Sequence, residues 1–235
     1  MIRLFLDSAL KKEAEVSLND KAYHYLVHVM RCQEGDPVLC FNGREGEWLA
    51  TLHMPSKKHA VLIITKQTQK QKNPPFCALC PALIKKDKMD FVLQKATELG
   101  ATDIYPLITD YTAHAHFNLE HAKLIVQEAA EQCERLTLPN IHHPQNLSQA
   151  FAELSKNCVC CYLAERTDAK NILSQKDNMA FFVGPEGGWS QKELVFFEKH
   201  PFVPLHFSVG ILRAETASLA ILSCWQIGRE LQIKK

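Results

Sequence analysis

Short apolar runs alternate with polar turns through the first 65 residues, in a pattern typical of β-strands. Strand-like runs occupy residues 3–6, 37–41, 47–52 and 60–65, and Asn42-Gly43 is a strong hairpin signal between two of them. One helix is predicted from residue 19 to residue 31, because Ala22, Leu26 and Val29 recur at helical spacing. The pattern therefore predicts a small β-rich domain, which we expect to be a barrel.

A polar stretch, KQTQKQKNPP at residues 66–75, interrupts this pattern and ends in two prolines. Such a composition is typical of a linker. Beyond it, strand-like runs at 77–83, 103–108, 158–164, 179–183 and 203–207 alternate with helix-like segments at 87–100, 118–136, 147–156, 190–200 and 214–231. The alternation predicts an α/β domain with a mostly parallel sheet covered by helices. We therefore expect two domains, residues 1–72 and residues 73–235.

The last predicted helix is apolar around most of its circumference. Leu219, Ile221, Leu222 and Trp225 fall on several of its faces. A contact with one core on one side cannot cover them all, so the pattern indicates a further apolar partner surface. We expect a homodimer interface there.

Composition narrows the class of protein. The chain has 235 residues, 46% of them hydrophobic, and a net charge of +1. No apolar run approaches the roughly 20 residues that cross a bilayer, and the first residues lack the pattern of a signal peptide. We therefore expect no membrane partner and a cytoplasmic location. Residues 1–72 carry a mild excess of positive charge, which allows a nucleic-acid surface without requiring one.

The nine cysteines lie mainly in apolar segments, as expected of small core residues in a reducing compartment. Cys77 and Cys80 have the spacing of a metal or redox pair, but they fall inside a predicted strand and lack a second pair at suitable spacing. His24 and His28 are also compatible with zinc, but no further ligands of a recognised zinc pattern lie nearby in sequence. We predict no metal site.

Residues 184–190, GPEGGWS, follow one predicted strand and lead into a helix. The glycines permit close approach of a ligand to the backbone, and Ser190 with Glu193 forms a capping box. The loop matches neither the dinucleotide nor the nucleotide-phosphate pattern, and Glu186 would repel a phosphate. It suits a neutral or cationic small molecule, although a purely structural turn explains it about as well.

Four groups of residues are candidates for chemistry or for RNA contact. Residues 211–217, ILRAETA, place a cation, a carboxylate and a hydroxyl where a loop becomes the last helix. His24, His28 and Arg31 share one exposed helix face, and Lys85 and Lys88 lie at a strand-to-helix junction that favours anions. Arg135 ends a polar stripe on the long helix. A solvated surface or local ion pairs explain the last three groups comparably well.

Read in order, several segments resemble the ribosomal RNA small-subunit methyltransferase E family of the knotted SPOUT superfamily. They are residues 24–36 (HYLVHVMRCQEGD), 42–43, 86–107 (KDKMDFVLQKATELGATDIYPL), 128–135 (EAAEQCER), 183–190 (VGPEGGWS) and 211–217 (ILRAETA). The resemblance covers nearly the whole chain. It implies an N-terminal PUA-like β-barrel, a C-terminal SPOUT domain with a trefoil knot, and a homodimer.

The resemblance also implies an activity, the methylation by S-adenosylmethionine of N3 of a uridine in 16S rRNA of the small ribosomal subunit, uridine 1498. The residues it implies for binding S-adenosylmethionine are Leu163, Gly184, Pro185, Glu186, Gly187, Gly188, Val209, Gly210, Ile211, Leu212, Thr216 and Ala217. A sulfonium cation suits the loop that carries Glu186. A non-catalytic RNA-binding assembly factor, or a knotted methyltransferase with another RNA target, remains an alternative.

The chemistry of N3 methylation indicates roles for a cation and a base. N3 carries a proton and faces the pairing partner, so the base must be unpaired or flipped out. Loss of the proton spreads negative charge over O2 and O4, which a fixed cation stabilises. We expect Arg213 to be that cation, Glu215 to orient it or to assist proton removal, and Thr216 to cap the helix and contact substrate. The candidates for gripping RNA phosphates are Arg3, His24, His28, Arg31, Lys85, Lys88 and Arg135.

Overall fold

The computed structural model describes residues 1–56, 59–112, 116–164, 178–207 and 210–233. The chain divides into two compact units. The first contains Met1–Asn73 together with Ala130–Leu138, and the second contains Pro74–Ala129 together with Pro139–Lys235. A nine-residue segment from the end of the long helix therefore belongs with the N-terminal residues.

The first unit is built on a five-stranded sheet. Its strands are β1 (Ile2–Phe5), β2 (Glu15–Ser17), β3 (Pro37–Phe41), β4 (Glu47–Ser56) and β5 (His59–Gln69). They lie in the order β1-β3-β4-β5-β2, and every pair is antiparallel except β1 with β3. Alternate residues such as Val38 and Cys40, or Leu62 and Ile64, face one buried core. The predicted β-rich character of these residues is confirmed.

The predicted helix of the first unit is only partly α-helical. α1 (Asp20–Tyr23) is capped by Asn19, whose side chain accepts the backbone N–H of Ala22 at 2.9 Å, and a π-helix (His24–Val29) follows directly. The wider π turn keeps Leu26 fully buried but leaves Val29 and Met30 exposed. The apolar positions that predicted one continuous α-helix therefore do not share a single buried stripe.

The hairpin predicted at Asn42-Gly43 is confirmed by the antiparallel pairing of β3 with β4, whereas the predicted linker differs from the structure. The β3–β4 loop spans residues 42–46, and the buried Asn42 holds it by accepting the backbone N–H groups of Arg44 and Glu45, each at 3.0 Å. The predicted linker begins too early, because β5 continues to Gln69 and pairs with Glu47 of β4. Its polar side chains lie on an exposed strand end, where hydrophobic patterning gives no signal.

The second unit contains a six-stranded, entirely parallel sheet. Its strands are β6 (Cys77–Pro81), β7 (Asp103–Ile104), β9 (Asn140–Ile141), β11 (Val159–Leu163), β12 (Met179–Val183) and β13 (Phe202–Leu205), in the order β13-β11-β12-β6-β7-β9. β8 (Leu107–Ile108) and β10 (Gln145–Asn146) form a separate parallel pair. The predicted strand at 103–108 is therefore two short strands in different sheets. The predicted parallel α/β fold is confirmed, and the trefoil knot stays a prediction.

Helices cover both faces of this sheet. They are α2 (Lys86–Glu98), α3 (Leu119–Gln132), α4 (Leu147–Leu154), α5 (Gln191–Lys199) and α6 (Ala214–Ile233). Met179 and Phe181 of β12 pack in one core with α2 and α6, whereas Ala180 and Phe182 pack in a second core with α4 and α5. A strand that is apolar on both sides is what a doubly covered parallel sheet requires.

The cysteine pair of β6 belongs to these cores. Cys77 and Cys80 are both fully buried, on opposite faces of the sheet, which confirms their interpretation as core residues. Burial raises the pKa of Cys80 well above its ordinary value, so its thiol is unreactive at neutral pH. Within the described ranges, no group of three or more His, Cys, Asp or Glu side chains is arranged to hold a metal ion.

Candidate functional site

A cleft opens where the three strands at one end of the parallel sheet terminate. Including its open mouth, the cleft has a volume of about 520 Å³. Its walls come from the residues that end β11, β12 and β13 and from the start of α6, and this carboxyl edge is where parallel α/β sheets bind ligands. The lining consists of Leu163, Ala164, Val183, Gly184, Pro185, Gly188, Trp189, Leu205, His206, Phe207, Gly210, Ile211, Leu212, Ala214 and Ala217.

The glycine loop after β12 is packed too closely for larger residues. A Cβ on Gly184 would lie 3.1–3.4 Å from the indole of Trp189. That indole donates its Nε1–H to the backbone carbonyl of Leu163 at 2.9 Å, so it ties the loop to the end of β11. A Cβ on Gly187 would lie 3.2 Å from Cβ of Tyr111, and Gly188 has a φ of 72°. The backbone at Gly188 is therefore one that favours glycine, whereas at Gly184 and Gly187 a side chain would crowd its neighbours.

The exit of the loop into α5 is anchored by the predicted capping box, which is confirmed. Ser190 accepts the backbone N–H of Glu193 at 3.2 Å, and the Glu193 carboxylate accepts the backbone N–H of Ser190 at 2.8 Å. The same buried carboxylate accepts the backbone N–H of Asp110 at 3.2 Å. Ser190 also donates to Asp110 Oδ2 at 2.5 Å. These bonds fix the loop against the segment that carries Tyr111.

Most residues predicted to bind a small molecule line this cleft. They are Leu163, Gly184, Pro185, Gly188, Gly210, Ile211, Leu212 and Ala217. Glu186, Gly187 and Thr216 are not among the lining residues, and Val209 lies outside the described residues. Thr216 is exposed in the first turn of α6, inside the helix rather than at a capping position.

Several lining residues are not predicted from the sequence. Trp189, His206 and Phe207 belong to this group, together with the strand-end residues Ala164, Val183 and Leu205 and with Ala214 of α6. No recognised motif contains His206 or Phe207. The signal that identifies them is their place directly after β13, because all strands of a parallel sheet end at the same edge.

Arg213 and Glu215, the predicted cation and base, stand on either side of Ala214 at the start of α6. Arg213 is exposed, and within the described residues its side chain makes no hydrogen bond. The side chain of Glu215 is mostly buried. One of its oxygens, Oε2, is buried and has no hydrogen-bond partner in the part of the chain that the structure describes.

Lys88 lies between two carboxylates, each of which is a chain neighbour of a residue that lines the cleft. Its Nζ is 3.1 Å from Oε1 of Glu186 and 3.5 Å from Oε1 of Glu215. The bond to Glu186 raises the pKa of Lys88. Although partial burial opposes it, the bond from Lys88 lowers the pKa of Glu186, and the nearby charge of Lys85 adds to this effect. The structure therefore brings three separate sequence segments into one charged cluster.

The remaining basic candidates differ in accessibility. His24 and His28 are exposed, with ring centroids 5.3 Å apart, so they share a face as predicted even though their helix is a π-helix. Arg31 is exposed just beyond it, with a φ of 57°. Lys85 is exposed at the N-cap of α2. Arg135 is half-buried, with its guanidinium 3.4 Å from the hydroxyl of Thr137.

Arg3 was predicted to contact RNA, and the structure contradicts this. Its guanidinium is buried, pairs with Glu47 at 2.7 Å, and donates to the backbone carbonyls of Ala130 and Arg135 at 2.8 and 2.6 Å. It also lies 3.8 Å from the centroid of the Phe41 ring. A side chain with these partners has a structural role, because no donor faces solvent where a phosphate can approach.

Two family profiles match the chain. The profile described as an RNA methyltransferase domain matches residues 71–226, and the profile described as an RNA methyltransferase PUA domain matches residues 18–65. The chain is also 30% identical over 229 residues to the ribosomal RNA small subunit methyltransferase E of Rickettsia conorii, covering 94% of this chain and 93% of that protein.

Solved structures resemble the whole chain. The ribosomal RNA small subunit methyltransferase E of Neisseria gonorrhoeae, bound to S-adenosylmethionine, superposes with a TM-score of 0.88 at 28% identity, over 97% of each chain. A methyltransferase of Legionella pneumophila in complex with the same cofactor gives a TM-score of 0.87 at 28% identity, again over 97% of each chain.

Proposed function

The chain belongs to the ribosomal RNA small subunit methyltransferase E family, and from this premise we propose that it methylates N3 of a uridine in 16S rRNA, uridine 1498. The methyl donor in this proposal is S-adenosylmethionine, which is bound in the related structures from N. gonorrhoeae and L. pneumophila. The substrate is the rRNA of the small ribosomal subunit.

The observation that carries the proposal is the chemical character of the cleft. Its described lining is mostly apolar side chain and backbone, with His206 among the lining residues but no lysine or arginine, and Glu186 follows the lining residue Pro185. This environment disfavours a polyphosphate and fits a donor that carries a cationic sulfonium and a flat adenine ring. When bound, the donor supplies a methyl group on a positively charged sulfur.

The residues of the chain have distinct roles in this proposal. The donor is held by backbone and apolar contacts. The residues that make them are Leu163, Gly184, Pro185, Gly188, Gly210, Ile211, Leu212 and Ala217, together with Val209, which lies outside the described residues. Arg213 is exposed and free to turn towards a pyrimidine at the mouth, where its charge stabilises negative charge on O2 and O4. Glu215 accepts the N3 proton.

The proposed contacts to RNA phosphates come from both units. They are His24, His28 and Arg31 in the first unit and Lys85 in the second. All four are exposed. Each phosphate contact releases counterions from RNA, so each adds to the salt dependence of binding. Arg135 is retained in this proposal as a weaker candidate, since it is half-buried.

α6 supports the proposed homodimer. Ile221, Leu222 and Trp225, which were expected to need a partner surface, are instead buried in the unit's own core. The proposed dimer surface therefore depends on Ile227 and Leu231, which are exposed further along the same helix. We place the enzyme in the cytoplasm, where 16S rRNA is assembled. No helix among the described residues is long and apolar enough to cross a membrane.

Two measurements test this function. Calorimetric titration with S-adenosylmethionine separates the enzyme from an RNA-binding assembly factor, which is expected to give no heat of binding.

Mass spectrometry of 16S rRNA nucleosides identifies the product. The small subunits are taken from a strain lacking this protein, and their nucleosides are compared before and after incubation with protein and donor. N3-methyluridine is expected to appear only after incubation. Methyl on a ribose 2′-hydroxyl, or on another base, would identify a different RNA target.

A further inference from the structure

Lys88 occupies a position that its sequence context does not explain. It lies in the first turn of α2, yet its ammonium group contacts the glycine loop through Glu186 and the start of α6 through Glu215, at 3.1 and 3.5 Å. Its side chain is 24% exposed, and those of Glu186 and Glu215 are 45% and 14% exposed. The least exposed of the three groups is thus the proposed base.

The carboxylate of Glu215 is only half satisfied. Oε1 faces Lys88, whereas Oε2 is buried and has no partner in the described chain. A buried oxygen without a donor costs free energy, so such an atom in a native structure calls for an explanation. A donor brought by a substrate would satisfy it.

We propose that Lys88 is a positioning residue for methyl transfer, which holds Glu215 through Oε1 so that the buried Oε2 stays available to accept the N3–H of the target pyrimidine. This inference rests on the proposed function. It assigns Lys88 to the reaction through Glu215, in place of the expected contact with an RNA phosphate.

Charge supports this assignment. Lys88 carries one positive charge and lies between two carboxylates, so the cluster of three side chains has a net charge of −1 at neutral pH. A phosphate approaching Lys88 meets that negative charge, whereas a neutral ring N–H donor is attracted to it. Lys85, which is exposed at the N-cap of the same helix, forms no ion pair with any residue that the structure describes, although its charge acts on Glu186, and it remains the better candidate for a phosphate.

The arrangement also selects the substrate class. Uracil presents a hydrogen-bond donor at N3, and cytosine presents an unprotonated acceptor there, so a carboxylate oxygen at this point attracts the first and repels the second. In the transfer, the N3–H bond breaks and its proton passes to Oε2 of Glu215. The nitrogen electron pair forms the new N–C bond, and the electrons of the broken C–S bond remain on sulfur.

The test compares Lys88→Met and Lys88→Arg with the unaltered protein and with Lys95→Met. Lys95 is a matched control because it lies on the same helix, has a side-chain exposure of 30% and forms one ion pair, with Glu98 at 2.8 Å. Three quantities are measured for each protein. They are the single-turnover rate of methyl transfer to small subunits that lack the modification, the Kd for S-adenosylmethionine by calorimetry, and the salt dependence of binding to those subunits.

We expect Lys88→Met to lower the single-turnover rate on the order of 100-fold, because a misplaced catalytic group costs about this much. The Kd for the donor and the salt slope are expected to stay unchanged. Lys88→Arg restores most of the rate, since it supplies a cation at the same place, and Lys95→Met transfers methyl at the rate of the unaltered protein.

Other outcomes overturn the inference. A normal rate for Lys88→Met removes Lys88 from the reaction, and a reduced salt slope shows that it contacts phosphate after all. A weaker donor affinity that accounts for the whole loss shows that it only shapes the cleft. If the unaltered protein transfers no methyl group, the proposed function fails and this inference fails with it.

Discussion

Removing the Arg3 guanidinium is expected to destabilise the first unit strongly. The substitution Arg3→Met keeps an apolar stem beside Phe41 but removes the cationic partner of Glu47, whose side chain is 4% exposed and pairs with Arg3 at 2.7 Å. The neutral side chains of Thr68 and Gln69 still donate to Glu47, but they do not offset its charge. It also leaves the carbonyls of Ala130 and Arg135 without that donor. Breaking one side of a buried ion pair costs about 3–5 kcal/mol, because an uncompensated charge remains.

Hydrogen exchange measures this cost in the first unit alone. The amides of β1 and β3 are expected to exchange faster by roughly two to nearly four orders of magnitude, which corresponds to the same free energy if exchange follows global opening of the unit. Arg44→Met is the control, since its ion pair with Asp7 is exposed (56% and 83%) and its loss should leave exchange unchanged. Adding Glu47→Leu to Arg3→Met should restore part of the stability. An acceleration below about fivefold for Arg3→Met would refute the structural role assigned to this residue.

Three further predictions concern the second unit. Gly184→Ala places a Cβ 3.1 Å from the Trp189 indole, so the indole must shift from Leu163. Calorimetry should then show an affinity for S-adenosylmethionine that is lower by about tenfold or more. Equal affinity would contradict the proposed cleft. Gly100→Ala should lower the melting temperature, because Gly100 has a φ of 90° and its added Cβ would overlap the Gln226 side chain, at a cost of at least about 1 kcal/mol; an unchanged melting temperature would contradict this packing. The Glu186 carboxyl should titrate below its ordinary pKa of 4.5 when followed by NMR. Its pairing with Lys88 therefore contributes to the stability of the fold above pH 4.5, and this contribution is lost as the pH falls through the lowered pKa. In Lys88→Met the pKa of Glu186 should rise, and an unchanged pKa would show that Lys88 is not the cause.

The second unit was predictable from sequence because its signals are local and repeated. A strand buried on both faces, such as β12, is apolar at every position, and its predicted bounds agree with the structure. The capping box of Ser190 and Glu193 also needs only residues three apart. In each case the interaction that decides the structure lies within one short segment.

The first unit was less predictable because distant partners decide its details. β2 has only three residues, too few for a periodic pattern, and exists because Val16 pairs with Leu62. The long helix was expected to reach residue 136 but ends at Gln132, and Glu134 follows with a φ of 62°. The carbonyls of Ala130 and Arg135 at this end are bonded to Arg3. The sequence on either side of residue 132 gives no sign that Arg3 bonds to these carbonyls.

The candidate site likewise combines features that a short stretch of sequence reveals with features that depend on distant residues. The glycine loop and the ILRAETA segment identified most of the cleft, since glycine spacing and a loop-to-helix junction are visible in sequence. The cluster of Lys88, Glu186 and Glu215 was not visible, because its members are separated by 98 and 127 positions along the chain. From the sequence, Lys88 is therefore predicted to contact a phosphate, because the two carboxylates that surround it, Glu186 and Glu215, lie on other elements of the fold.

The position of bound S-adenosylmethionine decides whether the cleft is the site of methyl transfer. A crystal structure of the protein with S-adenosylmethionine is predicted to show the donor in the cleft between Gly184, Gly188 and Leu212, with its methyl group directed towards the mouth near Glu215 and Arg213. A donor bound elsewhere on the chain, or an empty cleft in crystals grown with saturating donor, would contradict this assignment of the cleft.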